Sequence, residues 1–335
     1  MKKGAEEGGE IAHKSIVQRP ALSVVTPIYN EANSLPAFFE RLSSVLAHTE
    51  GGYEIVAVDD GSSDRSFEVL SKFSAEDAHI RVIRFKRNFG QTAALSAGID
   101  SARGAIIATI DSDLENDPAD IPRLLTKLEE GYDVVSGWRK MRWQGAFLTR
   151  RLPSVMANWL ISYMTGVPLH DYGCTLKVYR AEAIKDVRLY GEMHRFIPAY
   201  AAWQGGKVAE LPVNHQPRKY GKSNYGFSRI FRVLLDLIVA VFMRRYMSRP
   251  MHFFGVYGFI SFTLGCTAGF AALALKVFGL KPLVETPLPI LATLLILVGV
   301  QLLLFGVLAE ILMRTYFESQ AKRPYVIKET RGDSI

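Results

Sequence analysis

Asp111, Asp113, Glu115 and Asp117 lie within seven residues, in the run Ile110-Asp-Ser-Asp-Leu-Glu-Asn-Asp117. Carboxylates this crowded raise one another's pKa, and a site that keeps them ionised usually supplies a divalent cation, for which hard oxygen ligands suit Mg²⁺ or Mn²⁺. The simpler reading is an acidic loop that caps the helix after Pro118. Ala105-Ile-Ile-Ala-Thr-Ile110 precedes the acids, and its length and β-branched content predict a buried parallel strand ending where open α/β sheets bind ligands.

Other elements must bring partners to the same edge. Leu22–Ile28 reads as a first strand that delivers Tyr29-Asn30-Glu31 and opens into a helix from about Ser34 to His48. Glu54–Val58 reads as a second strand ending in Asp59-Asp60-Gly61-Ser62-Ser63-Asp64. Val82–Phe85, a helix from about Gln91 to Ser101, the acid-bearing strand and Tyr132–Ser136 continue the alternation, which predicts a doubly wound, mostly parallel sheet. Asp64 and Asn33 read as turn or cap residues. Three acidic tips along one sheet edge repel one another unless a ligand or cation offsets them. Neither G-x-G-x-x-G after the first strand nor G-x-x-x-x-G-K-[ST] occurs, which disfavours a dinucleotide dehydrogenase and a P-loop enzyme.

The 335 residues suggest two or three units. His252 to Leu275 and Thr286 to Ala309 contain no Asp, Glu, Lys or Arg. Each run exceeds the ~20 residues that cross a bilayer core, and both are expected to be transmembrane helices. Met1 to Pro20 lacks the apolar run of a secretory signal. Arg244, Arg245 and Arg249 precede the first span and Arg314, Lys322 and Arg323 follow the second, while the link carries only Lys276 and Lys281. That asymmetry predicts a multi-pass protein of the plasma or cell inner membrane, with the region before the spans and both termini cytoplasmic. Cys174 and Cys266 are the only cysteines, so neither a disulfide framework nor a cysteine zinc site is indicated. The net charge of +7 suits phosphates and acidic membrane lipid, and no nucleic-acid-binding motif accompanies it.

Pro27-Ile-Tyr-Asn-Glu31, Val58-Asp-Asp-Gly-Ser-Ser-Asp64, Arg87-Asn-Phe-Gly-Gln91, Asp111-Ser-Asp-Leu-Glu115 and His170-Asp-Tyr-Gly-Cys174 together resemble family 2 glycosyltransferases of the GT-A fold. Within them the chain is most similar to the polyprenyl-phosphate glycosyltransferases, the dolichol-phosphate mannose synthase-like group and its bacterial undecaprenyl-phosphate relatives. The resemblance runs from about Leu22 to the tail.

The resemblance implies an α/β, Rossmann-like GT-A cytosolic domain (21–217) after a polar tail (1–20). A donor-site loop and interfacial amphipathic helices (218–250), a two-helix transmembrane hairpin (251–313) and a cytosolic tail (314–335) would follow. It implies transfer from a nucleoside diphosphate sugar, with UDP favoured, to polyprenyl phosphate, with a divalent cation (Mg²⁺ or Mn²⁺) between the donor phosphates. Asp113 would be the chief metal ligand, with Asp111 and Glu115 assisting; many relatives carry Gln where this chain has Glu115. Pro27, Tyr29, Glu31 and Asp60 would line the base and ribose pocket, and Asn88 and Gln91 would shape its floor. Asp59 reads equally as a structural residue. Arg139, Arg150 and Ser154 match contacts to the lipid phosphate, an anion that guanidinium groups grip bidentately. Asp171 would orient the acceptor or the sugar, whereas His170 and His194 read as packing or cap residues. Arg195, Arg218, Lys222 and Ser223 match a loop that closes over the donor phosphates and keeps water out.

Between Arg218 and Arg249 eight Lys or Arg residues face one acid, Asp236, and Phe227 to Phe242 reads as helix lying in the membrane interface. A homo-oligomer through the membrane segments fits the resemblance. The alternatives are a processive polysaccharide synthase, whose Q-x-x-R-W signature is missing its Gln because Arg139 stands there, and a non-catalytic membrane-tethered protein that only binds nucleotide sugar.

Overall fold

A computed structural model describes residues 19–140, 142, 152–185, 187, 193–216, 235–239, 241–242, 250–319 and 327–332. They divide into two compact units: residues up to 216 with 327–332, and residues 235–319.

The first unit is built on an eight-stranded sheet. Its strands are β1 (Leu22–Ile28), β2 (Tyr53–Asp59), β3 (Ile80–Phe85), β4 (Ile106–Thr109), β5 (Val134–Trp138), β6 (Lys177–Arg180), β7 (Val208–Pro212) and β8 (Ile327–Arg331). They lie in the order β7-β5-β6-β4-β1-β2-β3-β8. β1 pairs in parallel with β2 and β4, β2 with β3, and β5 with β7. The alternation expected for a parallel sheet is interrupted by β6, which runs antiparallel to both β4 and β5. It enters from the turn at 171–176 rather than from a crossover helix, and an antiparallel entry needs no such helix. Five residues of the expected tail form β8, antiparallel to β3 on the sheet edge.

Strand residues alternate between two cores, as the two-residue period requires. On one face Val24, Ile55, Ala57 and Val82 meet Leu35, Phe38, Phe39 and Leu42 of α1 (Leu35–Leu46), Leu70 of α2 (Ser66–Glu76) and Leu124 of α4 (Ile121–Glu129). On the other, Val25, Val56, Val58 and Ile83 meet Ala94, Ala97 and Ile99 of α3 (Gln91–Ser101), along with Ile184 of the short α6 (Ala181–Ile184) and Ile197 of α7 (Ile197–Trp203). α5 (Leu152–Thr165) packs its inner side on the turn before β6: Asn158 Oδ1 accepts from Tyr172 N at 3.3 Å, and the Thr165 and Tyr172 hydroxyls meet at 2.7 Å.

In the second unit, Met251–Val277 and Leu288–Leu312 are helices long and apolar enough to cross a membrane. A methyl added at Gly258 would lie 2.9 Å from Gly299 O, and one at Gly299 2.7 Å from Phe262 N, so small residues set the close approach of the two helices. The interfacial helix expected over 227–242 lies largely outside the described residues; Leu235–Val239 and 241–242 are helical.

Candidate functional site

The registers Ile28↔Asp59 and Val25↔Thr109 bring the ends of β1, β2 and β4 to one edge of the sheet. The loops after β1 and β2 lock together through Asn30. It takes a left-handed conformation, φ 56°, which Asn tolerates, and its Oδ1 accepts from Ser63 N at 2.8 Å. Asp64 accepts from Ala32 N and Ser66 N, the turn role its position suggested. Asp59 is fully buried, accepts from Ser62 N at 3.0 Å and pairs with Arg84 Nε at 3.4 Å, which is the structural role. Pro27 is half-buried, Tyr29 is 46% exposed, and Glu31 Oε2 accepts from Ser34 Oγ at 3.1 Å.

Asp60 is 3% exposed, and its two oxygens accept from Phe89 N at 2.7 Å and Gly90 N at 2.9 Å. Burial raises its carboxyl above the ordinary range. The two backbone donors directly precede α3, whose first residue, Gln91, donates from Nε2 to Asp111 Oδ1 at 2.8 Å. A continuous run of contacts therefore joins the β2 tip to the acidic loop after β4.

In that loop Asp113 is 4% exposed and its Oδ1 accepts from Glu115 N at 3.0 Å. Leu114 between them holds φ 61°, an uncommon state for a branched residue that turns the chain sharply. Asp111 is pushed up to about 7, first by burial and then by the charge of Asp113, against the opposing hydrogen bonds of Thr175 and Gln91 and the charge of Arg139. Thr175 Oγ1 also accepts from Asn116 Nδ2 at 3.0 Å, so one hydroxyl braces both ends of the loop. Among the described residues no three of Asp, Glu, His and Cys gather as a metal cage, and Asp111, Asp113 and Glu115 follow one another around the turn at Leu114. The backbone of Glu115 is engaged on both sides, donating to Asp113 and accepting from Gln216 N at 2.9 Å. Asp117 caps the turn after it through Ala119 N and forms a bidentate pair with Arg41, at 2.8 and 2.6 Å.

On the neighbouring strands sits a second group. Arg139, just past β5, donates from Nε and Nη2 to Asp171 at 2.7 and 3.0 Å, and both residues are buried. Burial alone would raise the Asp171 carboxyl, and the Arg139 guanidinium reverses this, holding it well below the usual carboxylate range. Gly173 is flanked by two guanidiniums, since a methyl added there would lie 3.2 Å from Arg139 Nη2 and 3.4 Å from Arg195 Nη1. Lys177, at the start of β6, is 3% exposed and donates to Tyr172 O at 3.3 Å and to Cys174 O; burial pulls its ammonium down to about 8. Burial likewise pushes the Cys174 thiol up to about 11. His170 stacks on Trp138 at 4.3 Å and meets Glu210 Oε2 at 2.7 Å, and His194 Nδ1 lies 2.6 Å from Thr92 Oγ1.

Lys177, Thr175, Glu210 and His215 were not singled out from sequence. The first three are polar residues on β6, β7 and the turn before β6. His215 forms a bridge with Asn116, and burial lowers its pKa. Ser154 is half-buried on α5. Arg150, Arg218, Lys222 and Ser223 lie outside the described residues.

The profile described as glycosyl transferase family 2 matches residues 23–188. Dodecaprenyl-phosphate galacturonate synthase of Rhizobium johnstonii is 44% identical over 327 residues, covering 95% of each chain. Undecaprenyl-phosphate 4-deoxy-4-formamido-L-arabinose transferase of Klebsiella pneumoniae is 35% identical over 309 residues, covering 92% of each. Among solved structures, glucosyl-3-phosphoglycerate synthase of Mycobacterium tuberculosis, in complex with Mn²⁺ and UDP-glucose, superposes with a TM-score of 0.50 at 18% identity, covering 67% of this chain and 79% of that one. This likeness speaks to the GT-A fold.

Proposed function

Since the chain belongs to glycosyl transferase family 2, among its polyprenyl-phosphate sugar transferases, we propose that it moves a sugar from a UDP-sugar to undecaprenyl phosphate with inversion at the anomeric carbon. The observation that carries this reading is the meeting of two unlike groups at one sheet edge: the Asp111–Asp113 carboxylates, and the Arg139–Asp171 pair with Arg195 beside it.

Asp111 and Asp113 fit a divalent cation. They supply hard oxygen, and a cation would favour the ionised form of Asp111, whose carboxyl is raised first by burial and then by the charge of Asp113; Glu115 is proposed to assist. When bound, such a cation would neutralise charge developing on the departing nucleoside diphosphate. Gln91 and Thr175 hold Asp111 in place for that task, and Asp60 organises the loop at the base pocket through Phe89 and Gly90.

Arg139 offers guanidinium to the acceptor phosphate, with Arg150 and Ser154 as further proposed contacts, and Arg195, Arg218, Lys222 and Ser223 are proposed for the donor phosphates. Asp171 orients this group and does not serve as a base. A carboxylate held so far below its usual range is a poor proton acceptor, and a phosphate nucleophile, already ionised at neutral pH, needs none.

We read the two long apolar helices as a hairpin of two spans; the pairing of β8, which follows them, into the same sheet as β7, which precedes them, supports an even number of crossings. Arginines flanking both spans favour a cytoplasmic catalytic unit and cytoplasmic termini.

The test is to incubate purified full chain with undecaprenyl phosphate, Mn²⁺ or Mg²⁺ and a panel of UDP-sugars headed by UDP-galacturonate, and to weigh the lipid product. A new lipid heavier by one glycosyl residue is expected with one panel member. No lipid product with any sugar, by protein that binds UDP, would favour the binding-only alternative.

A further inference from the structure

Asp59, Arg84 and Glu329 stand opposite one another on three neighbouring strands, as Cα partners of β2, β3 and β8. Arg84 Nε lies 3.4 Å from Asp59 Oδ2, and Arg84 Nη1 lies 3.4 Å from Glu329 Oε1. One guanidinium is thus shared between a carboxylate at the end of β2 and a carboxylate of the tail. Asp59 Oδ2 is buried without a hydrogen bond, which leaves it dependent on that cation. A second line of contact runs beside the first. The guanidinium carbons of Arg84 and Arg331 sit over the Phe67 ring, 3.9 and 5.1 Å from its centroid. Phe67 follows Ser66, whose hydroxyl accepts from Glu31 N at 2.9 Å. Arg331 also reaches Glu329 Oε2 at 3.4 Å, so Asp59, Arg84, Glu329 and Arg331 form a balanced set of two acids and two bases. The tail is seated closely as well. Gly332 holds φ +82°, and a methyl there would lie 2.7 Å from Ile80 O and 2.9 Å from Ser74 Oγ.

We propose that β8 is a positioning element of the nucleotide pocket, and that Glu329 acts on the loop after β2 through Arg84. Both lines of contact begin on β8. One ends at Asp59, next in sequence to Asp60, and the other at the backbone of Glu31. Without β8, β3 becomes the edge of the sheet and water reaches Arg84 on the side that Glu329 now occupies. The pairing of Arg84 with Asp59 weakens as the local dielectric rises. Slack at Asp59 then passes to Asp60, whose oxygens hold Phe89 N and Gly90 N.

The inference deepens the proposed transfer reaction and rests on its nucleoside diphosphate donor. β8 follows the two long apolar helices in sequence, yet it completes the sheet that carries Asp60. Donor affinity therefore depends on whether the tail is docked, whereas the Arg139–Asp171 group, on strands at the other side of β1, does not.

Two readouts test this, one of them independent of the reaction. Backbone hydrogen exchange is compared between the full chain in detergent and a chain ended after residue 323, which lacks β8. Loss of β8 should speed exchange in residues 29–34 and 59–64 as well as in β3, and leave α4 unchanged. Faster exchange along β3 alone would overturn the proposal, because β8 would then only cover an edge. UDP binding with Mn²⁺ is then titrated by calorimetry. Glu329→Lys sets a cation against Arg84 and should weaken UDP by about fivefold or more. Lys328→Ala, exposed on the same strand, should bind UDP as the parent does. In transfer assays Glu329→Lys should raise the donor KM and leave kcat and the acceptor KM unchanged. A peptide of residues 325–334 added to the shortened chain should restore UDP affinity. A folded Glu329→Lys that binds UDP as tightly as the parent would overturn the proposal, even if its melting temperature fell. If the shortened chain does not fold, Glu329→Lys in the full chain decides both readouts. If the parent binds no UDP, the donor reading fails, while the exchange pattern still decides whether β8 braces these loops.

Discussion

Arg139 and Asp171 form a bidentate ion pair, with N–O distances of 2.7 and 3.0 Å, in which both partners are buried and the Asp171 carboxylate also accepts from Gly173 N at 3.0 Å. Breaking such a pair from one side leaves an uncompensated buried charge, which costs about 3–5 kcal/mol. Asp171→Ala should therefore lower thermal stability more than the double change Asp171→Ala with Arg139→Met, as read from melting curves of the full chain. If the single change were as stable as the parent, the pair would not be closed in solution.

Glu210 steadies the same pair from β7. Its carboxylate accepts from His170 N at 2.9 Å and Asp171 N at 3.0 Å, besides meeting the His170 ring. Glu210→Ala strands two backbone donors, a loss of about 1–3 kcal/mol each where no water replaces it. It should lower kcat, and Glu210→Gln, which keeps an acceptor oxygen, should recover most of the rate. Equal loss in both variants would mean that charge, not positioning, is what Glu210 supplies.

Asp111 carries a pH signature. Its folded carboxyl stands at about 7, above the unfolded value of about 4. A carboxyl raised on folding contributes stability that is fully present below the unfolded value and is lost as pH rises through the folded one. In chelator, the melting temperature should fall between pH about 4 and about 7, and Asp111→Asn should flatten the fall. Divalent cation should bind more tightly as pH rises through the same window, since only the ionised carboxylate is a ligand.

Gly61, in the turn after β2, holds φ +67°, and a methyl there would lie 2.4 Å from the Arg87 carbonyl carbon. Left-handed strain and a backbone clash both act against a side chain. Gly61→Ala should raise the donor KM several-fold with a smaller change in kcat, because it displaces the Arg87–Gly90 segment that Asp60 binds. An unchanged KM would detach this loop from the nucleotide pocket.

The strands and helices up to residue 138 were legible because apolar runs of strand length alternate with helix-period patterns, and the acids stand directly at strand ends. The Asp171 group was harder to read. Arg139, Asp171 and Lys177 come from three segments that meet only because β6 inserts antiparallel between β4 and β5, and no local period announces that. β8 is equally silent, because Ile-Lys-Glu-Thr-Arg gains its strand state only from the open edge of β3. The turn at Glu115 was not legible either, because the left-handed state of Leu114 and the backbone bonds of Glu115 to Asp113 and Gln216 arise only in the folded loop.

The proposed cation-assisted donor site depends most directly on Asp113. The decisive measurement is transfer of sugar from the preferred UDP-sugar to undecaprenyl phosphate by the parent chain and by Asp113→Ala, each with saturating Mn²⁺ and with melting curves confirming that both are folded. A fall in kcat of about a hundredfold or more is expected, as for removal of one strong electrostatic contributor to a developing anion. Undiminished transfer by folded Asp113→Ala would contradict a cation-assisted donor site at this loop.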